Sequence, residues 1–486
     1  MRPTVTVRKQ DFNTGVVRPG LEGILAIIAA SSAGDRNVAA AHNDGGLAHD
    51  EFEHGPLTDV ASFVMAETQN PTLLVRPTTS TAGAYSEIVV TGGGTADPDA
   101  TAETEPYDDF DVVIKFIAGG VLGTAGITYQ TSLNGGKTMS PTKALGTALV
   151  ITIPDTGISI TLGIATETIL ANEKVTFTTT RPLATNEDLP AALEALRTTS
   201  SPFEAVLIDC IADDDTVNLI ATWLGEMNKV GIFPDVFLTS RPMEADETEA
   251  DYATALDGVF SAVSCVDVVV CADEADMVSP FRGIAQARPV AFPVASRAMS
   301  VPIGTEPAEV ARGPLNVTIT DARKNSKHHD EEKFPTLDPL RLTTLRTIAG
   351  FDGVYINNTN ILSPPGSDYV YLPHSRTMNA AAAICFQELT KRLSGGVAKN
   401  PVPGPNNARY IADHAAKLLE GLVQTELDRK MKGQVDEIRF SISRTDDISS
   451  NDGAKITCTV ENVSLAYVKQ FVVYERFVKA LSKAAQ

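Results

Sequence analysis

Three short, predominantly apolar segments constrain the fold of this chain more than any other feature. They occupy residues 205–210, 235–239 and 266–271, and segments with helical periodicity, 216–227 and 246–260, separate them. A strand that is apolar along its whole length must be covered on both faces, and helices that alternate with such strands provide the cover. The sequence therefore predicts a central α/β layered domain.

Similar apolar segments lie much earlier in the chain. Residues 21–30 and 72–76 resemble the apolar segments described above, and a further apolar segment, 59–65, lies between them. We expect these residues to belong to the same sheet, although a long segment of different character separates them from its other strands.

That separating segment, 86–182, is typical of an all-β domain. Threonine, glycine and β-branched residues dominate it, and helical periodicity disappears. Short strands bounded by turn residues are predicted at 87–91, 111–117, 149–153, 158–162 and 174–180. The acidic stretch 96–109 is interpreted as a flexible, solvated loop. We therefore expect a β domain inserted between two parts of the α/β domain.

Two amphipathic helices are predicted after residue 373. The first carries Met378, Ala381, Ala382, Cys385, Leu389 and Leu393 on one face. The second is expected to begin after an Asn406/Asn407 cap. Its predicted apolar stripe is Ala408, Ile411, Ala415, Leu418, Leu419 and Leu422.

Strand patterns dominate the remaining sequence. Two segments alternate apolar and polar residues, with Ile438, Phe440 and Ile442 in one and Ile456, Cys458 and Val460 in the other. A turn at 449–453 is expected to join them as a hairpin. The last segment, 465–478, is apolar in both registers, and an N-terminal arm alternates Val5 and Val7 with polar residues. Strands of this kind at both ends of a chain favour pairing with another chain.

The predicted fold class is α/β and α+β multidomain. The expected parts are an N-terminal arm (1–18), the α/β domain (19–85 and 183–372), the inserted β domain (86–182) and a C-terminal α+β domain (373–486).

Composition excludes several function classes. The 61 acidic residues outnumber the 40 Lys and Arg residues, so the net charge of −21 opposes binding to nucleic acid. No apolar run is long enough to span a bilayer, and no signal peptide is evident, so a soluble, unexported chain is expected. The five cysteines are widely spaced and are expected to be free thiols.

Two segments imitate ligand sites but have simpler interpretations. The loop 133–138 ends like a phosphate-binding loop, but Thr131 stands where such a loop needs glycine. Asn134 and Gly135 favour a hairpin turn instead. The acidic residues 213–215 are expected to begin a helix, where carboxylates cap free amides, rather than to bind a cation.

Histidines do not form a convincing site either. The pair within 327–333 is adjacent, and His49 and His54 are five apart, so neither fits the spacing of metal ligands on a helix. Both groups are predicted to lie in solvated loops. His374, beside Ser375, has no identifiable orienting carboxylate. We therefore expect no catalytic, metal or cofactor site.

A family resemblance rests on the order of several segments. They are 350–355 (GFDGVY), 364–372 (PPGSDYVYL), the helix with Arg376, Met378 and Asn379, 407–411 (NARYI) and 465–469 (LAYVK). This order resembles the contractile tail sheath proteins of myovirus-type phages and the related sheaths of pyocins and other contractile injection systems. The inserted block, with 127–137 (ITYQTSLNGGK) and 172–178 (NEKVTFT), resembles a module of phage sheath-like proteins.

The resemblance implies a structural subunit and not an enzyme. Such subunits polymerise as stacked hexameric rings around a tail tube and contract to drive the tube through the host envelope. Strands from neighbouring subunits would complete the C-terminal α+β domain by β-augmentation. The residues expected to take part in this exchange are Val5, Val7, Ile438, Phe440, Ile456, Val460, Tyr467, Phe471 and Val473.

The implied partners are further copies of the chain, the tail tube protein, and baseplate and tail terminator proteins, with no nucleic acid, membrane insertion or cofactor. The implied location is the tail sheath of a virion, after assembly in the bacterial host cytoplasm. Two other classes stay open on the residues alone: an α/β-fold hydrolase or nucleotide-dependent enzyme, and another tail or baseplate structural protein. The kind of injection machine, phage tail or pyocin, also stays open.

Overall fold

The structure is a computed structural model that describes residues 23–102, 104–244, 246–318, 328–402, 404, 408–449 and 455–469. Its first elements are β1 (Leu25–Ile28), β2 (Ala39–His42), α1 (Gly45–Phe52), α2 (Pro56–Thr68) and β3 (Thr72–Val75). The next are β4 (Ala84–Tyr85), β5 (Val89–Thr91), β6 (Asp99–Ala100), β7 (Phe110–Ala118), β8 (Gly120–Val121), β9 (Thr128–Ser132), β10 (Lys143–Ala144), β11 (Val150–Ile153), β12 (Ile158–Thr161), β13 (Thr168–Ile169) and β14 (Lys174–Thr180).

Helices and strands then alternate. These elements are α3 (Leu189–Thr198), β15 (Ala205–Ile208), α4 (Asp214–Lys229), β16 (Asp235–Thr239), α5 (Glu249–Phe260), β17 (Val268–Cys271), β18 (Glu274–Val278), β19 (Ala285–Pro289) and α6 (Ala291–Ser300). The last are β20 (Leu345–Thr347), β21 (Val354–Ile356), α7 (Leu372–Thr390), α8 (Asp413–Lys430), β22 (Glu437–Ile442) and β23 (Cys458–Val463).

The central sheet has the strand order β17–β16–β15–β1–β3–β2. All its strands are parallel except β2, which lies antiparallel at the edge. Successive residues face opposite sides: in β1, Ala26 and Ile28 pack towards α3, α4 and α5, whereas Leu25 and Ile27 pack towards α1, α2 and α6. All residues of the five parallel strands are buried, which confirms the prediction of apolar strands covered on both faces.

The start of α4 confirms one of the structural interpretations drawn from the sequence. The Asp213 carboxylate accepts a hydrogen bond from the Thr216 backbone N–H at 2.7 Å, and the Thr216 hydroxyl contacts the Asp213 backbone N–H at 3.1 Å. This reciprocal capping satisfies amides that the first turn leaves free. The acidic residues 213–215 therefore serve the helix.

Residues between β3 and α3 form antiparallel sheets around a separate apolar core. Strands β10, β9, β7, β14 and β4, together with β5, which also pairs with β14, make the largest sheet of the insertion, and the core lies between it and β11–β12. The five predicted strands of this insertion are all present as β5, β7, β11, β12 and β14. Asn134 and Gly135 lie in the turn between β9 and β10, with Gly135 at a φ of 69°.

The insertion leaves and rejoins the α/β layers at one place. Thr81 and Leu183 exchange backbone hydrogen bonds of 3.3 and 3.0 Å. The Asp188 carboxylate accepts bonds from the Ser80 backbone N–H and hydroxyl at 2.9 and 2.7 Å. These contacts hold the outgoing and returning chains side by side.

A buried arginine ties the insertion to the helical layer. Arg288, in β19, donates to both oxygens of Asp108 at 2.6 and 2.7 Å and to Asp59 of α2 at 2.5 Å. Burial alone raises the pKa of Asp108, but the charge and hydrogen bonds of Arg288 outweigh it and hold that pKa below its ordinary value.

A second buried arginine lies at the end of β14. Arg181 forms a bidentate pair with Asp209, which follows β15, at 3.2 and 3.0 Å. It also contacts Asp109 of the insertion and, at 3.2 Å, Glu274 of β18. Burial lowers the pKa of Arg181, but the negative charges of Asp209, Asp109 and Glu274 outweigh it. The pKa of Arg181 therefore lies well above its ordinary value.

The acidic stretch 96–109 is therefore not a solvated loop, and that prediction is wrong. The side chain of Asp108 is 1% exposed, and the stretch contains β6. Local sequence suggested solvent because acidic residues usually face water. The arginine that neutralises Asp108 lies 180 residues further along the chain, where local sequence gives no indication of the pairing.

The histidine-rich segment near 328 was also predicted wrongly as a solvated loop. His329 is buried between Glu249 of α5 and Glu331, with nitrogen-to-oxygen distances of 2.5 and 2.7 Å. Burial lowers the pKa of His329, but its bonds to both carboxylates raise it above the ordinary value overall. His49 does not lie in a loop either: it is part of α1 and stacks on Phe281 at 4.1 Å.

The second C-terminal helix begins later than predicted, and of the predicted stripe within it Ala415 and Leu419 pack against the apolar cluster. Asn406 and Asn407 lie outside the described residues, and the first helical residue is Asp413. The preceding segment makes backbone bonds elsewhere, for example from the Ala412 N–H to the Ala398 carbonyl at 2.8 Å, so it cannot join the helix.

The buried residues of α8 are Ala416, Val423 and Leu427. Leu418 of the predicted stripe is 66% exposed, and Leu422 is 38% exposed. A helix whose apolar residues exceed one face does not reveal from sequence alone which of them meet the core.

Two further searches concern only the described part of the chain. Within it, no helix is both long and apolar enough to cross a bilayer. The same residues contain no group of three or more His, Cys, Asp or Glu side chains placed to hold a metal ion.

The Arg288 clamp can be tested with Arg288→Met. Removing the guanidinium leaves Asp59 and Asp108 buried without their partner, so we expect a loss of about 3–5 kcal/mol in the free energy of unfolding. Urea unfolding followed by the fluorescence of Trp223, the single tryptophan, measures it.

Arg312→Met is the matched control, because Arg312 pairs with Glu309 on the surface and we expect its loss to cost less than about 1 kcal/mol. Equal effects of the two substitutions would contradict a structural role for the buried clamp.

Candidate functional site

The C-terminal hairpin forms one of the four two-stranded sheets in the described part of the chain. Strands β22 and β23 pair antiparallel, with Ile438 opposite Asn462, Phe440 opposite Val460 and Ile442 opposite Cys458. Within the described residues this sheet has two strands, so each strand has one outer edge. Such an isolated pair is marginally stable and depends on the apolar cluster that it forms with α7 and α8.

Side chains of α8 seal the outer edge of β22. The Gln424 amide donates to the Ile438 carbonyl at 2.8 Å and accepts from the Phe440 backbone N–H at 2.8 Å. Glu420 accepts from the Ile442 backbone N–H at 2.8 Å and is itself held by Arg444 at 2.7 and 2.8 Å. The Gln424 side chain thus takes the hydrogen-bonding role of a peptide group in a neighbouring strand.

The outer edge of β23 has a different character. Because Phe440 and Ile442 direct their amides away from β23, the antiparallel alternation directs the backbone groups of their partners Cys458 and Val460 away from β22. No strand pairs with this edge among the described residues. The hairpin therefore has one edge sealed by side chains and one edge open to a further strand.

The structure brings together four of the residues predicted for strand exchange. Phe440 is buried in the C-terminal apolar cluster, and Ile438, Ile456 and Val460 pack against it. Their side chains stabilise the hairpin, while the backbone of Val460 lies at the open edge. Val5, Val7, Phe471 and Val473 lie outside the described residues.

Tyr467 occupies a different place from these four. Its hydroxyl donates to the Gly304 carbonyl at 3.0 Å, and its ring contacts those of Tyr371 and His374. Burial raises the pKa of Tyr467 to about 12, so the hydroxyl keeps its proton at neutral pH. In the described chain Tyr467 is a contact to its own subunit.

Lys469 reinforces this attachment. Its ammonium lies 2.9 Å from the Asn358 side-chain oxygen, 3.7 Å from Glu306 and 3.9 Å from the centre of the Tyr371 ring. Burial lowers the pKa of Lys469, and the charge of Glu306 opposes that shift. The last described residues are thus fixed to the body near the start of α7, and the C-terminal segment continues from that point.

Reasoning from the sequence missed Gln424 and Glu420. Their spacing of four places them on the same side of α8, but polar residues at that spacing are common on solvated helix faces. Only the approach of β22 to α8 gives these two side chains their role at the strand edge.

The complete fold is similar to that of contractile sheath subunits. It aligns with the sheath of an extracellular contractile injection system, PVC, in its contracted state, with a TM-score of 0.50 and 8% identity over 98% of this chain and 99% of that chain. The contracted helical sheath of the anti-feeding prophage gives a TM-score of 0.48 and 10% identity over 99% of each chain. A sheath tail protein from Listeria innocua gives 0.45 and 12% over 93% of this chain and 97% of that chain.

At 8% identity the similarity to the PVC sheath establishes a shared fold. The chain belongs to the DUF2586 family, whose model, described as DUF2586, N-terminal domain, matches residues 2–360. No curated protein matches the chain. The resemblance to contractile tail sheaths predicted from the sequence is confirmed.

Gln424→Met tests the seal on β22. The substitution keeps the length of the side chain but removes both of its hydrogen bonds to β22, together with its bond to Asp428 at 2.6 Å, so the Phe440 N–H and the Ile438 carbonyl lose their partner. We expect the local stability of β22 to fall by about 1–3 kcal/mol, measured by hydrogen exchange of its amides.

Asp428→Ala is the matched variant, since it removes only the bond from the Gln424 amide to Asp428 and leaves both bonds to β22 in place. It should give a smaller effect. Unchanged exchange in Gln424→Met would show that the side chain does not protect this edge.

Proposed function

We propose that the chain is the structural subunit of a contractile tail sheath that polymerises as stacked hexameric rings around a tail tube. The observation that carries this proposal is the half-open C-terminal hairpin: β22 is sealed by Gln424 and Glu420, and β23 offers an unsealed edge. A subunit whose sheet is incomplete on one side is suited to receive a strand from another copy.

The added strand comes from a terminal segment of a neighbouring subunit. The arm with Val5 and Val7, and the C-terminal segment with Phe471 and Val473, have the apolar periodicity of strands. Main-chain hydrogen bonds to Cys458 and Val460 would join the two chains. Because α8 side chains already bond the outer edge of β22, the incoming strand can pair only with β23 in this hairpin. This restricts the relative orientation of the two subunits.

The anchoring of Tyr467 and Lys469 supports the donor role of the C-terminal segment. Their contacts to Gly304 and Glu306 fix the point from which that segment continues. A donor strand that starts from a fixed point loses less conformational freedom on docking than one on a free linker.

Contraction would then be a rigid-body rearrangement between two packings of the subunit, in which the strand joints persist while other contacts grow. Its driving energy is stored in a metastable extended state, so no nucleotide or cofactor takes part. The partners of the assembled sheath are the tail tube, baseplate and tail terminator proteins. Its location is the tail of a virion or related particle, assembled in the bacterial host cytoplasm, with the inserted β domain on the outside.

Val460→Pro tests the open edge directly. Proline removes the outward N–H of Val460 without breaking a hydrogen bond between β22 and β23, so the subunit should fold but not polymerise. Negative-stain electron microscopy of the purified protein should show tubes for the natural chain and isolated subunits for the variant.

Val460→Ala is the matched control, because it shortens the same side chain and keeps the N–H. Tubes should persist in this control. Tubes in Val460→Pro would exclude β23 as the receiving edge, and an absence of tubes or rings from the natural chain would argue against the sheath proposal itself.

Deleting residues 1–9 tests the other side of the joint. The arm contributes a strand to a neighbour and not to its own subunit, so the truncated chain should fold, with unchanged circular dichroism and Trp223 fluorescence, and should fail to form tubes. Normal tubes from the truncated chain would contradict a donor role of Val5 and Val7.

A further inference from the structure

Two carboxyl groups, buried Asp235 and half-buried Asp267, meet beneath the first turns of α7. Asp235 begins β16, and Asp267 directly precedes β17, so both lie at the same end of neighbouring parallel strands. Ser375 and Asn379 of α7 point at them from above. This is the place where the first C-terminal helix rests on the central sheet.

The hydrogen bonds at this place require more protons than the donors supply. The Ser375 hydroxyl contacts Oδ1 of Asp235 and, at 2.9 Å, Oδ1 of Asp267. The Asn379 side-chain nitrogen lies 3.2 Å from each of these oxygens and 3.2 Å from the Ser375 oxygen. A hydroxyl has a single hydrogen and can donate to only one carboxylate. Its second contact needs a proton carried by a carboxyl group.

The surrounding charges do not remove this requirement. The charge of Arg376 lowers the pKa of Asp235, but this arginine is paired with Glu204 at 2.7 Å, so its charge is already balanced. Two other titratable neighbours are uncharged at neutral pH, because burial raises the pKa of Cys265 to about 11 and also raises that of Tyr369.

Burial, followed by the charge of Asp267, raises the pKa of Asp235 well above its ordinary value, and burial raises the pKa of Asp267 as well. Of the two, Asp235 is the more deeply buried, with 1% of its surface exposed, and is the better position for a neutral acid.

We propose that Asp235 is a protonated acid in the folded subunit at neutral pH, that it donates to Ser375, and that Ser375 donates to Asp267. This relay clamps α7, and with it the C-terminal hairpin, to the central sheet in a proton-dependent way. The proposal goes beyond the sheath function: it assigns a pH-sensitive joint between two parts of the subunit.

The direction of the pH dependence follows from linkage. The folded state holds a proton that an unfolded aspartate releases near pH 4, so the contribution of the clamp is complete below about pH 4 and is lost as the pH rises through the raised pKa of Asp235. Above that pKa, two like charges face each other beneath α7. The protection of α7 against hydrogen exchange, corrected for intrinsic rates, should fall by up to about tenfold per pH unit between about pH 4 and the raised pKa of Asp235, and it should level off above that pKa.

Asp235→Asn in the full chain is the decisive variant, because the amide keeps a donor for Ser375 at every pH. We expect the pH-dependent loss of α7 protection to disappear in this variant. We also expect the infrared band of a protonated carboxyl group, present in the natural chain at pH 7, to lose intensity. Asp50→Asn, the same change at an exposed position of α1, should leave both measurements as in the natural chain.

Asp267→Asn provides a second route if Asp235→Asn does not fold, since it removes the neighbouring charge that raises the pKa of Asp235 and should narrow the pH range over which protection falls. The natural chain alone gives a further check: the protection of α7 should stop falling in the pH range in which its carboxyl band disappears. An unchanged infrared band in Asp235→Asn, or a pH profile that neither variant changes, would overturn the proposal.

Discussion

The burial of two arginines against five carboxylates is the interaction on which the arrangement of this subunit depends. Arg288 joins Asp59 and Asp108, and Arg181 joins Asp109, Asp209 and Glu274. Charges out of contact with water are tolerated only when they are paired with good geometry, so these contacts demand one relative position of the insertion and the helical layers. Linkers alone would leave the insertion free to move, because it interrupts the sheet between β3 and β15.

The same clamp occupies the place at which sheets of this topology usually bind ligands. In open α/β sheets, ligands lie beyond the carboxyl ends of the strands, where the strand order reverses. Here that point lies between β1 and β15, and Asp209, which follows β15, is bonded on both oxygens to Arg181. Arg181, at the end of the insertion, thus binds the carboxylate that lies at this edge of the sheet, and the contact is a structural one. A structural protein and an α/β enzyme can therefore have the same sheet topology and differ in the groups that occupy the crevice at this edge.

The predictable parts of the fold are those set by local periodicity. Continuous apolar strands, alternating strands such as β22, and the cap at Asp213 follow from neighbouring residues and were predicted correctly. The errors concern groups whose partners are distant in sequence. Asp108 was assigned to solvent because its partner Arg288 is remote in sequence. His329 was assigned to a solvated loop because its partner Glu249 is also remote. In the candidate site, the apolar pattern of the hairpin was evident, but the seal by Gln424 required knowing how α8 lies against β22.

The seal on β22 explains how a two-stranded sheet can avoid unspecific pairing at one edge and still accept a strand at the other. A free strand edge pairs with any available strand, so a hairpin with two open edges would associate in several ways. Gln424 satisfies β22 with a side chain of its own subunit at little cost in freedom, because α8 is already packed there. Within this hairpin, the outer edge of β23 is then the edge that can accept an added strand. In the proposed sheath, specific pairing would arise from closing one edge of the hairpin and not from adding affinity to the other.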